Sequence, residues 1–147
     1  MAYLTVFLTA LAAATLLPVS SEAMLGGLGI HGYSAGWLWF WATCGNTLGS
    51  VINAVIGRQV DRFKNRRWFP VSEQQLARAR TRFNRYGQWS LLLAWLPLVG
   101  DALTVAAGIM RVPWPAFVVL VATGKGLRYA FVLWAALSVS PAPVPGP

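Results

Sequence analysis

Two carboxylates of this chain, Glu22 and Asp101, lie inside apolar segments and occupy the same position of an internal repeat. Residues 17–23 and 96–102 both read Leu-Pro-x-x-x-acid-Ala, 79 positions apart. A charged residue at the centre of a bilayer costs about 2.5–3.5 kcal/mol on insertion scales, so acids that are kept there usually serve a function. The pair predicts a working site, and chance similarity between two apolar segments is the alternative explanation of the repeat.

The chemistry that such acids favour is proton or ion coupling. A low-dielectric environment disfavours the charged form of a carboxyl group, which can then take up and release a proton during a transport cycle. We therefore expect Glu22 and Asp101 to act as coupling acids. Two structural alternatives stay open: each acid caps the helix that follows its proline, or each stands in a fixed ion pair.

Basic residues accompany these acids within or beside the apolar segments: Arg58, Arg85, Arg111, Lys125 and Arg128. Five cations against two acids leave positive charge that an anionic ligand or a lipid headgroup could neutralise. Lys125 and Arg128 share a helix face, and arginine recognises phosphate with two parallel hydrogen bonds, so we expect this pair to bind an anion. For the other three, the alternative is an interfacial position from which the side chain reaches water or lipid phosphate.

Two asparagines, Asn46 and Asn53, recur near one face of a predicted helix together with Ser50 and Gly57. In one interpretation the asparagines line a polar cavity. In the other, small residues allow close helix approach and the asparagines donate hydrogen bonds across a packed interface.

The composition is that of a membrane protein, with 147 residues of which 56% are hydrophobic and 11% charged. Nine of the twelve Lys and Arg residues lie between Arg58 and Arg85, as in a cytoplasmic membrane loop, so nucleic acid is not the expected partner. Residues 1–57 contain no Lys or Arg, which argues against a cleaved secretory signal. One Cys, one His and the lack of a catalytic triad or phosphate loop predict no metal, no cofactor and no enzymatic activity.

Four apolar stretches must position these residues. Residues 35–56 and 114–139 are each long enough as a helix to cross the roughly 30 Å core of a bilayer. The stretches at residues 3–30 and 89–110 are interrupted by Pro18 and Pro97, so each is predicted to form two short helices with a break. We favour re-entrant hairpins, because broken backbone at membrane depth must be buried in protein or reached by water.

The predicted fold is an all-α polytopic membrane protein with a single membrane domain, residues 1–139, built from two inverted repeats. Each repeat is a proline-broken re-entrant hairpin followed by a transmembrane helix, with repeat one at 1–57 and repeat two at 89–139. The loop between them, 58–88, is expected to be cytoplasmic and to contain a basic amphipathic helix that lies on anionic lipid, or else a solvated loop helix. Residues 140–147 are predicted to be a disordered tail.

The orientation of the chain follows from the charge of this loop. A cytoplasmic loop between inverted repeats places both termini outside. If each broken segment instead spans the membrane, the repeats are parallel and both termini are cytoplasmic.

Four segments of the sequence resemble the YqaA-like branch of the DedA/VTT (SNARE-associated) membrane protein superfamily. They are LPVSSEA, GNTLGSVINAVIGR, RYGQWSLLLAWLPLVGDALTVAAGIMR and GKGLRY, which together span most of residues 17–129. The resemblance implies re-entrant hairpins in an inverted pair, a bacterial inner-membrane location and lipid transport, with polyprenyl-phosphate carriers and cation gradients as family features. It also places Glu22 at the acidic position of the first hairpin motif and Arg85 at the arginine before the second hairpin.

The second hairpin departs from the pattern of this family. The family motif reads approximately Arg-Phe-Ile-Pro-Gly-x-Arg-Thr, whereas residues 94–101 read AWLPLVGD. Both arginines are absent and Asp101 is present, so an anion cannot be held there in the same way. Either Lys125, Arg128 or Arg111 takes that part, or the ligand differs.

The expected function is that of a DedA-like inner-membrane transporter or flippase. Its cargo would be an anionic lipid, with polyprenyl phosphate as one candidate, or a small anion, coupled to protons or cations through the two acids. Arg128 and Lys125 would hold the anionic group, and Arg85 and Arg58 would line the cytoplasmic entrance. Membrane lipids are the expected partners. A homodimer is also plausible, because two crossing helices and two hairpins form only a thin barrier across the membrane. The alternative is a membrane structural or assembly factor that binds lipid headgroups and transports nothing.

Overall fold

The computed structural model describes residues 1–15, 21–59, 74, 77–78, 81, 85–96 and 99–139. Within these ranges the chain is helical and forms no strand, which confirms the predicted all-α class. The α-helices are α1 (Ala2–Thr15), α2 (Ser21–Ile30), α3 (Ala35–Arg58), α4 (Val99–Ile109) and α5 (Trp114–Val139). A 3₁₀ helix, η1 (Gly87–Trp95), precedes α4.

The two predicted helix breaks, Pro18 and Pro97, lie outside the described residues, as do most of the predicted amphipathic helix and the tail at 140–147. At the second break, η1 ends at Trp95 before Pro97, and α4 begins at Val99. Leu96, which precedes Pro97, has extended backbone (φ −68°, ψ 131°), as a following proline requires.

The two long helices, α3 and α5, run antiparallel to each other. Arg58 at the end of α3 stacks on the ring of Trp114 at the start of α5, with 4.2 Å between the guanidinium carbon and the ring centroid. At the opposite end, Leu38 of α3 and Leu133 of α5 belong to one buried cluster.

Only α5, among the described residues, has both the length and the apolar composition expected of a membrane-crossing helix. α3 has 24 residues, about 36 Å, and so is long enough. Its buried face carries glycine and polar side chains, which lowers its hydropathy: Thr43, Gly45, Thr47, Gly49, Ser50 and Asn53. The polar face of α3 is therefore turned toward other helices, which hydropathy alone does not reveal.

α1 and α2 form a hairpin whose two ends lie together. The ring of Tyr3, near the start of α1, makes an edge-on contact with the ring of Tyr33, just after α2, at 6.0 Å between centroids. Val6, Ala10 and Leu25 join the two helices in one buried cluster. At 14 and 10 residues, the helices reach about 21 and 15 Å, well short of a bilayer core.

The second limb of each hairpin packs on the long helix of the other half of the chain. An added Cβ at Gly29 of α2 would lie 3.2 Å from a methyl carbon of Leu133 in α5, and one at Gly108 of α4 would clash with the carbonyl of Ala54 in α3. Gly29 and Gly108 are 79 positions apart, and so are Ala54 and Leu133. The two contacts therefore involve the same positions of the repeat.

α2 and α4 also end in the same way, 79 positions apart. Gly32 (φ 86°) follows α2 and Arg111 (φ 53°) follows α4, and both adopt left-handed backbone. In each case the next N–H donates to the carbonyl five residues back, at 3.3 and 3.1 Å, which is a Schellman motif. Glycine adopts this backbone without steric cost, whereas Arg111 holds it despite its side chain.

Candidate functional site

The middle of α5 carries Lys125, Arg128 and Tyr129, which share one face of the helix because they are three and four residues apart. Lys125 and Tyr129 are buried, at 4% and 2% exposure. The glycines beside Lys125 allow neighbouring elements to approach closely: an added Cβ at Gly124 would lie 2.7 Å from the Leu92 carbonyl oxygen. This part of α5 therefore presents polar groups inside the helix packing.

Each hairpin contributes one acid to this face of α5. Glu22, in the first turn of α2, forms an ion pair with Arg128. Asp101, in the first turn of α4, lies with its Oδ1 3.9 Å from the Nζ of Lys125. A carboxylate in a first turn also interacts favourably with the helix dipole, so each acid is in a position to stabilise its own helix as well as to pair with a cation.

Solvent access differs between the members of the two pairs. The Glu22 and Asp101 side chains are 36% and 38% exposed, and that of Arg128 is 28% exposed, whereas Lys125 is nearly inaccessible. Arg128 additionally donates to the carbonyl of Trp95 in η1. The two carboxylates therefore lie at the surface of the helix packing, and Lys125 is the one member of the two pairs that is fully enclosed.

A chain of hydrogen bonds runs from Lys125 through the protein interior to Ser21, the residue that precedes Glu22. Lys125 Nζ donates to Asn46 Oδ1, and Asn46 Nδ2 donates to Tyr129 Oη at 2.9 Å and to the Ala10 carbonyl at 3.0 Å. Tyr129 Oη lies 3.0 Å from the Oγ of Ser21, the neighbour of Glu22. Sequence reasoning missed Tyr129 and Ser21, although the position of Tyr129 one turn after Lys125 in an apolar helix was a usable signal.

Asn53 forms a second link between helices. Its Nδ2 donates to the Ala14 carbonyl at 2.9 Å and to Thr104 Oγ1 at 3.4 Å, and Thr104 Oγ1 donates to the Asp101 carbonyl at 2.7 Å. Asn53 therefore ties α3 to the last turn of α1 and to the start of α4. This is the arrangement expected from the packing interpretation, whereas Asn46 lies in the polar cluster itself.

The remaining predicted cations lie apart from these pairs. Arg58 Nη2 donates to the Val112 carbonyl at 2.8 Å, and Arg85 lies over the exposed ring of Tyr86 at 5.5 Å. Arg111 is exposed. Among the described residues, no ion pair connects these three arginines to an acid. In the same part of the chain, no three His, Cys, Asp or Glu side chains are grouped as a metal site would require.

Comparison with known proteins gives matches along most of the chain. Residues 5–137 match the VTT domain family, a span that includes both acid–cation pairs. Inner membrane protein YqaA of Escherichia coli (strain K12) is 38% identical over 129 residues, which cover 87% of this chain and 86% of that protein. The protein of the same name from Shigella flexneri matches equally, and an uncharacterized protein of Haemophilus influenzae is 33% identical over 138 residues, covering 87% and 83%. No solved structure matches the chain.

Proposed function

We propose that this chain, which belongs to the VTT domain family and is a bacterial inner-membrane protein, is a transporter or flippase rather than an enzyme. Its cargo is an anionic lipid, with polyprenyl phosphate as the first candidate, or a small anion. Glu22 and Asp101 couple that movement to protons or cations. The names of the relatives specify a membrane location and no activity, so this proposal depends on the site.

The observation that carries the proposal is that one acid from each hairpin covers one cation on α5. Arg128 and Lys125 are the groups that would bind a phosphate or another anion. In the paired state the carboxylates compete with the anion for these cations. A proton on Glu22 or Asp101 removes that competition, so protons and anion would bind together.

The packing of the helices supports the inverted-repeat part of the proposal. In parallel repeats α3 and α5 would run in the same direction, but they run antiparallel. Exchanged contacts at equivalent positions, Gly29 with Leu133 and Gly108 with Ala54, are typical of two halves related by a two-fold axis. An axis across two antiparallel membrane helices lies in the membrane plane, as in transporters with inverted repeats.

The short hairpin helices support re-entrant segments. Tyr3 and Tyr33 bring both ends of the first hairpin to one side. On the opposite side, the end of α3 meets the start of α5 at Arg58 and Trp114, with Arg111 next to them. Placing this second side in the cytoplasm agrees with the positive charge of the loop that follows α3.

The test is pH-dependent translocation of a fluorescent polyprenyl-phosphate analogue in proteoliposomes. We expect flux that follows an imposed proton gradient in the parent protein and collapses in Glu22→Gln and Asp101→Asn. The matched control is Glu73→Gln, the same chemical change in the predicted cytoplasmic loop, which should leave flux unchanged. No flux above empty liposomes from folded parent protein would rule out this lipid as the cargo.

One observation favours the alternative of a membrane structural or assembly factor. Both acids of the cluster already have a cation, which is also what a static interface between helices requires. A scaffold would keep its lipid binding in Glu22→Gln and Asp101→Asn and show only reduced stability. The same proteoliposome preparation, assayed for headgroup binding beside flux, separates the two functions.

A further inference from the structure

We propose that Tyr129 is a positioning residue that makes the protonation of Glu22 depend on that of Asp101, through the chain Ser21–Tyr129–Asn46–Lys125. The inference rests on the proposed function, since it concerns how the same two acids are coordinated. It assigns a part in coupling to Tyr129 and Ser21, which neither bind the cargo nor carry the charge.

The hydrogen bonds of this chain point in one direction. Asn46 can only receive the ammonium of Lys125 on its carbonyl oxygen, so its amide N–H groups face Tyr129 and Ala10. Tyr129 Oη therefore accepts from Asn46, and its single proton is left for Ser21 Oγ at 3.0 Å. The positive charge of Lys125 thus polarises the successive hydrogen bonds as far as Ser21, the residue beside Glu22.

Burial makes this relay effective. Ser21, Tyr129 and Lys125 are 7%, 2% and 4% exposed and Asn46 is half-buried, so little of the chain lies at the protein surface. Hydrogen bonds in a low-dielectric interior polarise one another more strongly than in water. The charged or titratable groups that face the chain are Glu22 from α2, Asp101 from α4, and Lys125 and Arg128 from α5. In the described ranges, α1, α3 and η1 add no charged side chain at this level.

The sign of the coupling follows from the charges. When Asp101 takes up a proton, Lys125 loses its counter-ion and its positive charge acts more strongly through Asn46 and Tyr129. That charge favours the ionised form of Glu22. The two acids therefore take up protons one after the other rather than together. With this order, one of the two acids binds its proton before the other acid does.

The test measures proton binding directly, without a cargo. Purified full-length protein in lipid nanodiscs is titrated with acid while infrared carboxyl bands are recorded, and Glu22→Gln and Asp101→Asn assign the bands. Asp101→Asn mimics the protonated acid, so we expect Glu22 to bind its proton about tenfold more weakly in that variant, within the usual range of coupling between sites. In the Tyr129→Phe background the same substitution should change proton binding by less than about threefold.

The controls keep the inference falsifiable if Tyr129→Phe fails to fold. Ser21→Ala removes the hydrogen bond between Tyr129 and Ser21 but keeps the Tyr129 ring and its contact with Asn46. This variant should reduce the coupling in the same way as Tyr129→Phe. Tyr33→Phe is the matched control, because Tyr33 is exposed and lies outside the chain, and it should leave the coupling intact. Coupling that is undiminished in folded Tyr129→Phe, or in Ser21→Ala, would overturn the inference.

The outcome is separable from that of the transport assay. If the protein shows no flux but proton binding at Glu22 and Asp101 is coupled through Tyr129, the inference stands and the proposed cargo is ruled out. Flux that follows the proton gradient, with coupling insensitive to Tyr129 and Ser21, would remove the inference and leave the proposed function.

Discussion

Lys125 is the charged side chain that the described residues bury most completely, and its surroundings explain why it can stay there. Its ammonium has Asp101 as counter-ion and Asn46 as hydrogen-bond acceptor. An ammonium taken out of water is tolerated only with such partners, because its desolvation is otherwise uncompensated. The partly buried carboxyl and the fully buried ammonium thus form an asymmetric pair.

At the same scale, neutralising both acids should free Arg128 and Lys125 to bind an anion. We expect the double variant Glu22→Gln/Asp101→Asn to bind a polyprenyl-phosphate analogue about tenfold more tightly near neutral pH, because Arg128 and Lys125 lose their competing carboxylates. Parent protein should approach that affinity as the pH falls and the acids become protonated, and the double variant should lose this pH dependence. Equilibrium binding in detergent measures both effects. Weaker binding by the double variant would show that the acids organise the cations instead of competing for them.

Asn53 offers a residue-scale test of packing. Asn53→Ala should lower the free energy of unfolding by about 1–3 kcal/mol, because the Ala14 carbonyl and the Thr104 hydroxyl lose a buried donor. Thermal unfolding in detergent compares it with Thr123→Ala, an exposed hydroxyl that bonds only within its own helix and should change stability by less than about 0.5 kcal/mol. Equal effects of the two substitutions would mean that Asn53 does not hold α1 and α4.

At the scale of elements, glycines set how closely the hairpins approach the long helices. Gly108 of α4 has no room for a Cβ against α3, whereas Gly27 of α2 has no atom within 4 Å of the added carbon. This difference separates the steric role of glycine from its general effect on helix stability.

We therefore expect Gly108→Ala to push α4 away from α3 and to reduce the yield and the thermal midpoint of folded protein. Gly27→Ala should be neutral or stabilising by up to about 1 kcal/mol, since alanine favours helix over glycine. Size-exclusion profiles and melting curves in one detergent make the comparison. If both variants behave like the parent, the contact between α3 and α4 at Gly108 has room for a methyl group.

The sequence predicted a short helix at η1 but did not predict that this helix is of the 3₁₀ type. A short helix was expected before Pro97, but nine consecutive residues adopt the tighter 3₁₀ form, whereas runs beyond three or four residues are uncommon. It begins at the left-handed Gly87 (φ 62°), and its Ala94 backbone lies against Gly100 of α4. Contacts of this kind with a neighbouring element are not predictable from local propensity.

At the scale of the whole molecule, the inverted arrangement can be tested through two equivalent positions of the repeat. His31 and Met110 are 79 positions apart and exposed, at the ends of α2 and α4. In a Cys44→Ala background, a membrane-impermeant maleimide should label His31→Cys in intact spheroplasts and Met110→Cys only in inverted vesicles. Labelling of both positions from the same side would contradict inverted repeats and favour the parallel arrangement. The homodimer stays a prediction.

The sequence by itself determined the class of the molecule and the identity of its most informative residues. Apolar stretches, the distribution of Lys and Arg and the repeated motif predicted a helical membrane protein, and the resemblance of four segments predicted the family and the inner-membrane location. The all-α class, the family and the location are confirmed. The repeat also marked Glu22 and Asp101. These features were readable because each is a pattern of residue types along the chain and requires no knowledge of tertiary contacts.

Only the tertiary structure decided which groups meet. The ion pairs join Glu22 to Arg128 and Asp101 to Lys125, and the chain through Tyr129 joins Ser21 to Asn46. Five cations were candidates for two acids, and spacing along the sequence could not choose between them. The choice depends on the register and direction in which α2 and α3 pack on α5 and α4 packs on α3. Contacts between such distant segments are set by side-chain packing rather than by any local pattern.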